Sequence, residues 1–256
     1  MKNNVECPID PDMRLWMENA FLWLATQFGQ DNIRRKPMLY PTREHFPFRY
    51  DGSMGSMTQT AEIVAKQMEI DFNEINLGVY EQNIQEFTGD FGHRIWTEVD
   101  KSNDEKLASG LYFDKSDNGK YDILIEKKNL SDPENMVATL AHEFSHIKIL
   151  GEKRLDFNDE QLTDLTPVVF GLGIFNANSA FKEHKTFDAY GHNSLGYLKQ
   201  QEWGYALALY AYFREEENSD WTKYLTPNLR SDFKKSMAFI SANNDKVFIE
   251  EYKGGS

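Results

Sequence analysis

Apolar side chains recur at helical spacing near the start of the chain and predict its first element. Asp10 is a suitable cap, Pro11 suits the first helical position and Gly29 can end the helix. The pattern therefore predicts a helix over residues 11–28 with one face in the core. That face consists of Met13, Trp16, Met17, Ala20, Leu24 and Phe28.

The next segment is rich in proline and aromatic residues. Pro37, Pro41 and Pro47 lie among aromatic side chains between residues 34 and 50. Because proline fixes φ and lacks an N–H, this spacing disfavours a helix or a central strand. The sequence predicts an ordered irregular segment here, followed by a second helix over residues 54–69.

Short runs of β-forming residues occupy the middle of the chain. They predict strands at 75–80, 94–98, 110–113 and 121–126. The Asp117-Asn118-Gly119 tripeptide is a strong turn signal, so the last two strands should form a hairpin. In the last strand, apolar and polar residues alternate as in a half-buried sheet.

Helical periodicity returns in the second half of the chain. Asp132 and Pro133 predict the start of a helix over 133–150, which Gly151 should end. A second helix is predicted over 159–175, with a kink at Pro167 because proline removes a backbone donor. Two further helices are predicted over 198–215 and 227–240.

These elements together predict an α+β fold with a small, mostly antiparallel sheet in the middle of the chain. The 256 residues, 40% of them apolar, are enough to fill a core. Since no repeat or linker separates the blocks, we expect one domain over 1–256. Within it, 1–130 should form an N-terminal helical part with the sheet, 131–252 a helical part, and 253–256 a flexible tail.

Charge and cysteine content narrow the functional classes. The chain has 28 basic and 41 acidic residues, a net charge of −13, which disfavours binding to nucleic acid or to an anionic membrane. Its single cysteine, Cys7, cannot form a disulfide within the chain, and polar residues follow Met1 where a secretory signal needs an apolar stretch. We therefore expect a cytoplasmic protein.

The predicted helix over 133–150 contains the sequence His142-Glu143-Phe144-Ser145-His146. Residues four apart lie on the same helix face, so both imidazoles can reach one metal ion. Glu143 lies one step around the helix, where it can act as the general base for water activated by zinc. The alternative is a pair of surface or capping histidines.

A carboxylate in the next helix is the candidate for a third ligand. Glu160 lies fourteen residues after His146, and Asp164 follows one helical turn later. The combination resembles the gluzincins, the thermolysin-like zinc peptidases. The resemblance implies that His142, His146 and Glu160 bind one zinc ion per chain, and that Asp164 accepts a hydrogen bond from His142. The alternative is two solvated acids at a helix start.

Two other ligand sets can be compared with the same segment. A metzincin needs glycine at position 149 and histidine or aspartate at 152, but the chain has Ile149 and Glu152. An aspzincin-like set with Asp156 or Asp159 stays open, because both lie near the turn between the two helices.

The gluzincin resemblance also implies two features around the metal. An edge strand should precede the metal-binding helix so that an extended peptide can pair with it, and the candidate strand is 121–126. The alternative is an ordinary half-buried strand. An oxyanion stabiliser is expected from the segment that contains His184, Tyr190, His192 and Tyr197. Of these, His192 and Tyr197 are the preferred candidates, and the alternative for each is a structural role.

A wider similarity extends beyond the motif. The segments at 142–146, 163–165, 170–175 and 205–209 resemble a group of bacterial proteins described at most as zinc-binding. The gluzincin resemblance implies a zincin-like fold and a zinc-dependent peptidase acting on a peptide or protein, whereas the wider similarity implies no substrate. The alternative is a non-catalytic module in which zinc joins two helices and the acidic surface binds a partner.

Overall fold

The computed structural model describes residues 5–81, 87–89, 94–95, 109–186 and 198–248, and it has an α+β architecture. The predicted tail at 253–256 lies outside these residues. The helices are α1 Pro11–Phe28, α2 Gln30–Arg35, α3 Met54–Gln67, α4 Pro133–His146, α5 Glu160–Val169, α6 Gly173–Thr186, α7 Gln200–Phe213 and α8 Pro227–Ala242. The strands are β1 Ile75–Tyr80, β2 Phe87–Gly89, β3 Arg94–Ile95, β4 Gly110–Phe113 and β5 Tyr121–Glu126.

Aspartate side chains fix the starts of three helices. The carboxylate of Asp10 accepts hydrogen bonds from backbone N–H groups in the first turn of α1, and Asp132 does the same for α4. Asp159 accepts a hydrogen bond from the N–H of Leu162 at 3.0 Å and so begins α5. Each cap satisfies donors that have no partner within the helix, which is why these boundaries are readable in the sequence.

The sheet is mixed, with the strand order β3-β2-β1-β5-β4. The predicted hairpin of β4 and β5 is confirmed, since the two strands are antiparallel and Gly119 in their connection has a positive φ of 78°. β1 and β5 are parallel. The prediction that 121–126 is an edge strand is therefore wrong, because β5 lies between β1 and β4. The edge strand next to β5 is β4, and β3 forms the other edge of the described sheet.

The prediction of one kinked helix over 159–175 is also wrong. Helix α5 ends at Val169, two residues after Pro167, and α6 begins at Gly173. Gly171 has a φ of 75°, and the N–H of Leu172 donates to the carbonyl of Pro167 at 2.8 Å. This hydrogen bond is typical of a helix that ends at a glycine in the left-handed conformation. The segment therefore forms two separate helices, and not one helix with a kink.

The helix that contains His142 and His146 ends in a wider turn than predicted. Helix α4 stops at His146, and residues Ile147–Gly151 form a π-helical turn. Gly151 allows this turn to approach β5, because a Cβ on Gly151 would lie 2.6 Å from the ring of Tyr121.

Helix α7 lies in the centre of the helical half. Trp203, Tyr205 and Tyr210 are all fully buried, and Gly204 allows α8 to approach closely at Asp232. One connected cluster of buried apolar side chains runs from Ile9 to Val247. Among the described helices, none combines the length and the apolar character that crossing a bilayer requires.

Candidate metal centre

The structure brings His142, His146 and Glu160 together between α4 and α5. The Nε2 atom of His142 lies 3.4 Å from Oε2 of Glu160, and Nε2 of His146 lies 3.9 Å from the same oxygen. The two histidines occupy successive turns of α4, and Glu160 is the first residue of α5. The turn of 152–159 therefore folds α5 back so that its first carboxylate faces both imidazoles.

The separation of these atoms fits a bound metal ion. All three potential ligand atoms lie within 4.8 Å of one another. Around a tetrahedral zinc ion with bonds near 2.0–2.1 Å, ligand atoms lie about 3.3–3.4 Å apart. The distance of 3.4 Å between His142 Nε2 and Glu160 Oε2 already matches this spacing. The distance of 3.9 Å between His146 Nε2 and the same oxygen has to shorten by about half an ångström. The cluster can therefore hold a metal ion.

The rival carboxylates have other positions. Asp159 uses its carboxylate to cap α5 at the N–H of Leu162. In the described part of the chain, the cluster includes Glu160 and neither Asp156 nor Asp159. Glu160 also accepts a hydrogen bond of 2.7 Å from Asn158. The hydrogen bond with His142 lowers the pKa of Glu160 to about 2, so its carboxylate is ionised.

His142 is held by a carboxylate behind it. Its Nδ1 atom lies 3.0 Å from Oδ1 of Asp164, which is buried one turn after Glu160 on α5. Burial lowers the pKa of His142, but the hydrogen bonds to Asp164 and Glu160 outweigh burial and raise the pKa well above its ordinary value. An acceptor on Nδ1 leaves Nε2 as the atom that faces Glu160, which fixes the orientation of the ring for a metal ligand.

His146 is oriented by an aromatic contact. Its ring stacks on Tyr112 of β4, with centroids 5.5 Å apart and an interplanar angle of 24°. Its Nδ1 atom is buried and has no hydrogen-bond partner among the described residues. Burial and the neighbouring His142 lower the pKa of His146 to about 4, so the ring is neutral, as a metal ligand must be.

Glu143 lies beside the cluster and against the edge strand. Its side chain is buried, with 5% of the residue exposed. A Cβ on Gly110 of β4 would lie 2.6 Å from Oε1 of Glu143, so only glycine leaves room for this carboxylate. Burial raises the pKa of Glu143 to about 7, against the opposing effect of His142.

One face of β4 therefore contacts the site twice. Gly110 and Tyr112 are two residues apart, so they lie on the same face of the strand, and they contact Glu143 and His146 on α4. Sequence analysis missed both residues. The turn at 117–119 predicts that β4 pairs with β5, but a strand of four residues carries no signal for which face meets a helix.

The proposed oxyanion candidates His192 and Tyr197 lie outside the described residues, as do Tyr190 and the side chain of His184. Comparisons with protein-family models, curated proteins and solved structures find no match to this chain. The site therefore has to be interpreted from its own geometry.

Proposed function

We propose that this chain is a zinc-dependent hydrolase that cleaves peptide bonds. The observation that supports the proposal is the position of Glu143. Its carboxylate lies against Gly110 of the edge strand β4, and Glu143 is next in the chain to His142, a member of a cluster of two imidazoles and one carboxylate that can hold a metal ion. Catalytic zinc sites use three such protein ligands and leave a further position for water or substrate.

Zinc is proposed from the chemistry of the donors. Two imidazole nitrogens and one carboxylate suit zinc, and the same set also suits non-haem Fe(II). The adjacent glutamate favours hydrolysis, because hydrolysis needs a base for water and oxygen chemistry does not. A zinc ion at this site would act as a Lewis acid that polarises a carbonyl and acidifies water.

The side chains of the protein then have separate roles. Glu143 accepts the proton of the attacking water and returns it to the leaving nitrogen. His142 keeps its orientation through the hydrogen bond to Asp164. His146 keeps its orientation through the contact with Tyr112. Glu160 is the negative ligand that balances part of the charge of the metal ion.

The edge strand supports a peptide as the substrate. β4 pairs with β5 on one side, and its other side is the edge of the sheet formed by the described strands. Unpaired backbone groups at such an edge can bind an extended peptide as an added strand. Since Gly110 and Tyr112 of this strand contact Glu143 and His146, a peptide added there passes beside the general base.

The test is cleavage of a peptide library by the zinc-loaded protein. We expect cleavage of at least one sequence, and a rate on the order of a hundredfold lower for Glu143→Gln, which cannot act as a base. Zinc affinity should not fall in this variant. Glu62→Gln, an exposed glutamate on α3, is the matched control and should cleave at the parental rate.

The same experiment separates the proposal from the non-catalytic alternative. The cluster joins α4 to α5, which is the arrangement of a zinc ion that ties two helices together. If the zinc-loaded protein cleaves no peptide of the library, or if Glu143→Gln cleaves at the parental rate, the hydrolase proposal is wrong and the interaction module is favoured.

A further inference from the structure

The two carboxylate oxygens of Glu160 have different partners. The Oε2 atom lies 3.4 Å from Nε2 of His142 and 3.9 Å from Nε2 of His146. The Oε1 atom accepts a hydrogen bond of 2.7 Å from the side-chain amide of Asn158. One oxygen therefore faces the two imidazoles, and the other is held by the turn that leads into α5.

The backbone that carries this hydrogen bond is fixed by the start of α5. Only Asp159 separates Asn158 from Glu160 in the chain. The carboxylate of Asp159 accepts a hydrogen bond from the N–H of Leu162 at 3.0 Å, and its carbonyl accepts one from the hydroxyl of Thr163 at 2.9 Å. The amide of Asn158 and the carboxylate of Glu160 therefore extend from neighbouring positions on a capped helix start.

A hydrogen bond to one oxygen restricts how a carboxylate binds a metal ion. Carboxylates bind metal ions through one oxygen or through both. The last side-chain torsion of glutamate has a broad energy minimum, so an unrestrained carboxylate can turn its second oxygen towards the metal. The amide of Asn158 opposes this rotation at Glu160, because the rotation would lengthen a hydrogen bond between an amide and a charged oxygen.

The number of oxygens that Glu160 supplies determines what else can bind the metal. Catalytic zinc sites have three protein ligands and leave a fourth position for water or substrate. Two imidazole nitrogens and Oε2 of Glu160 provide three ligands. A second oxygen from the same carboxylate would compete for the fourth position.

We propose that Asn158 is a positioning residue that keeps Glu160 a metal ligand through Oε2 alone. The amide of Asn158 holds Oε1 away from the metal, and the fourth position stays open to a small molecule. Asn158 acts only through Glu160. The inference rests on the proposed function, because a metal ion that only joined two helices would not need an open position.

The test is the binding of azide to the cobalt-loaded protein. Co(II) replaces zinc at nitrogen and oxygen ligands and absorbs visible light, so its spectrum reports a small anion that enters an open metal position. We expect the parent to bind azide with saturation. Asn158→Ala should bind azide at least about tenfold more weakly, the lower end of the effect of groups that orient metal ligands. Asn158→Leu should behave like Asn158→Ala, because it keeps the branched shape of asparagine without the amide donor.

An asparagine with the same local contact provides the matched control. The amide of Asn73 also donates to a carboxylate two residues away in the chain, that of Asp71, at 2.9 Å. Asn73→Ala should bind azide like the parent, because neither residue belongs to the candidate metal centre.

Cobalt affinity is measured separately in each variant. If Asn158 only stabilised the start of α5, its removal would lower cobalt affinity and leave the azide affinity of the loaded protein unchanged. Equal azide affinity in the parent and Asn158→Ala would therefore overturn the inference, as would a parent spectrum that does not respond to azide. The proposed function fails on a different result, the absence of peptide cleavage, which azide binding does not measure.

Discussion

The two histidines of the candidate metal centre are oriented by different interactions. His142 has a carboxylate, Asp164, 3.0 Å behind its Nδ1 atom. His146 has no such partner among the described residues, and its ring lies on that of Tyr112 instead. A hydrogen bond fixes both the tautomer and the direction of a ring, whereas a stacking contact fixes only its plane. Tyr112 is therefore the residue that holds the second imidazole.

Removal of the Tyr112 ring tests this role. Tyr112→Leu should weaken zinc binding about tenfold, the lower end of the effect of groups that orient metal ligands, while Tyr112→Phe should bind like the parent. Phe113→Leu is the control, because Phe113 is exposed on the opposite face of the same strand. Competition with a chromogenic chelator measures the affinities. Parental affinity in Tyr112→Leu would show that the ring does not position His146.

Gly110 and Glu143 should depend on each other. Gly110→Ala would place a methyl group against the carboxylate of Glu143. This substitution should therefore lower the unfolding free energy more in the parent protein than in the Glu143→Ala background. Residues in contact typically couple by about 0.5–3 kcal/mol, which urea unfolding of the double-mutant cycle can resolve. Gly55→Ala is the control, since its Cβ would meet only Ser53 Oγ at 3.7 Å. An equal cost of Gly110→Ala in both backgrounds would refute the contact.

At the scale of elements, the sequence predicted the features that depend on neighbouring residues, such as helix starts. It did not predict which distant strands pair. The aspartate caps and prolines predicted the starts of α1 and α4, because a cap satisfies N–H groups within the same turn. The spacing of His142 and His146 predicted a shared helix face for the same reason. The place of β5 inside the sheet depends on β1, more than forty residues earlier, and no local pattern reports that pairing.

The turn between α5 and α6 shows the same limit. Sequence analysis predicted that Pro167 would kink a single helix over 159–175. Instead, Gly171 ends the helical segment through its positive φ and its packing. Its carbonyl accepts a hydrogen bond from the N–H of Leu39 at 2.8 Å. The side chain of Gln67 donates to the carbonyls of both Pro37 and Phe170. The partners of the turn therefore come from distant segments.

A pair of glycine variants measures this turn. Gly119→Ala should lose about 1–2 kcal/mol of unfolding free energy, because its φ is positive but no atom lies within 4 Å of the added Cβ. Gly171→Ala should lose about 1–3 kcal/mol more, since its Cβ would overlap the carbonyl oxygen of Pro37. Urea unfolding midpoints give both values. Equal losses would mean that packing at Gly171 contributes nothing.

At the scale of the whole molecule, the candidate metal centre lies on an extensively packed framework. The buried cluster runs from Ile9 to Val247 and includes residues of both α4 and α5. We therefore expect the metal-free protein to stay folded, unlike small domains that need zinc to fold. Zinc at about a hundred times its Kd should add about 2.7 kcal/mol to the unfolding free energy.

The same unfolding experiment tests the role of the ligands in stability. Glu160→Gln should lose most of the gain in stability with zinc, because it removes the charged ligand from α5. Asn158→Ala is a milder variant, since its amide only contacts Glu160. If the metal-free parent is unfolded, the account of a preformed framework is wrong and the metal has a structural role.

Zinc titration of the parent and three ligand variants tests the central claim most directly. The account predicts one zinc ion per parent chain, and an affinity at least about a hundredfold lower for His142→Ala, His146→Ala and Glu160→Ala, since each removes one of three protein ligands. His45→Ala should bind zinc like the parent, because the ring of His45 contacts Tyr40 and His45 is nearly a hundred residues before the first ligand in the chain. Parental affinity in any of the three ligand variants would contradict the account.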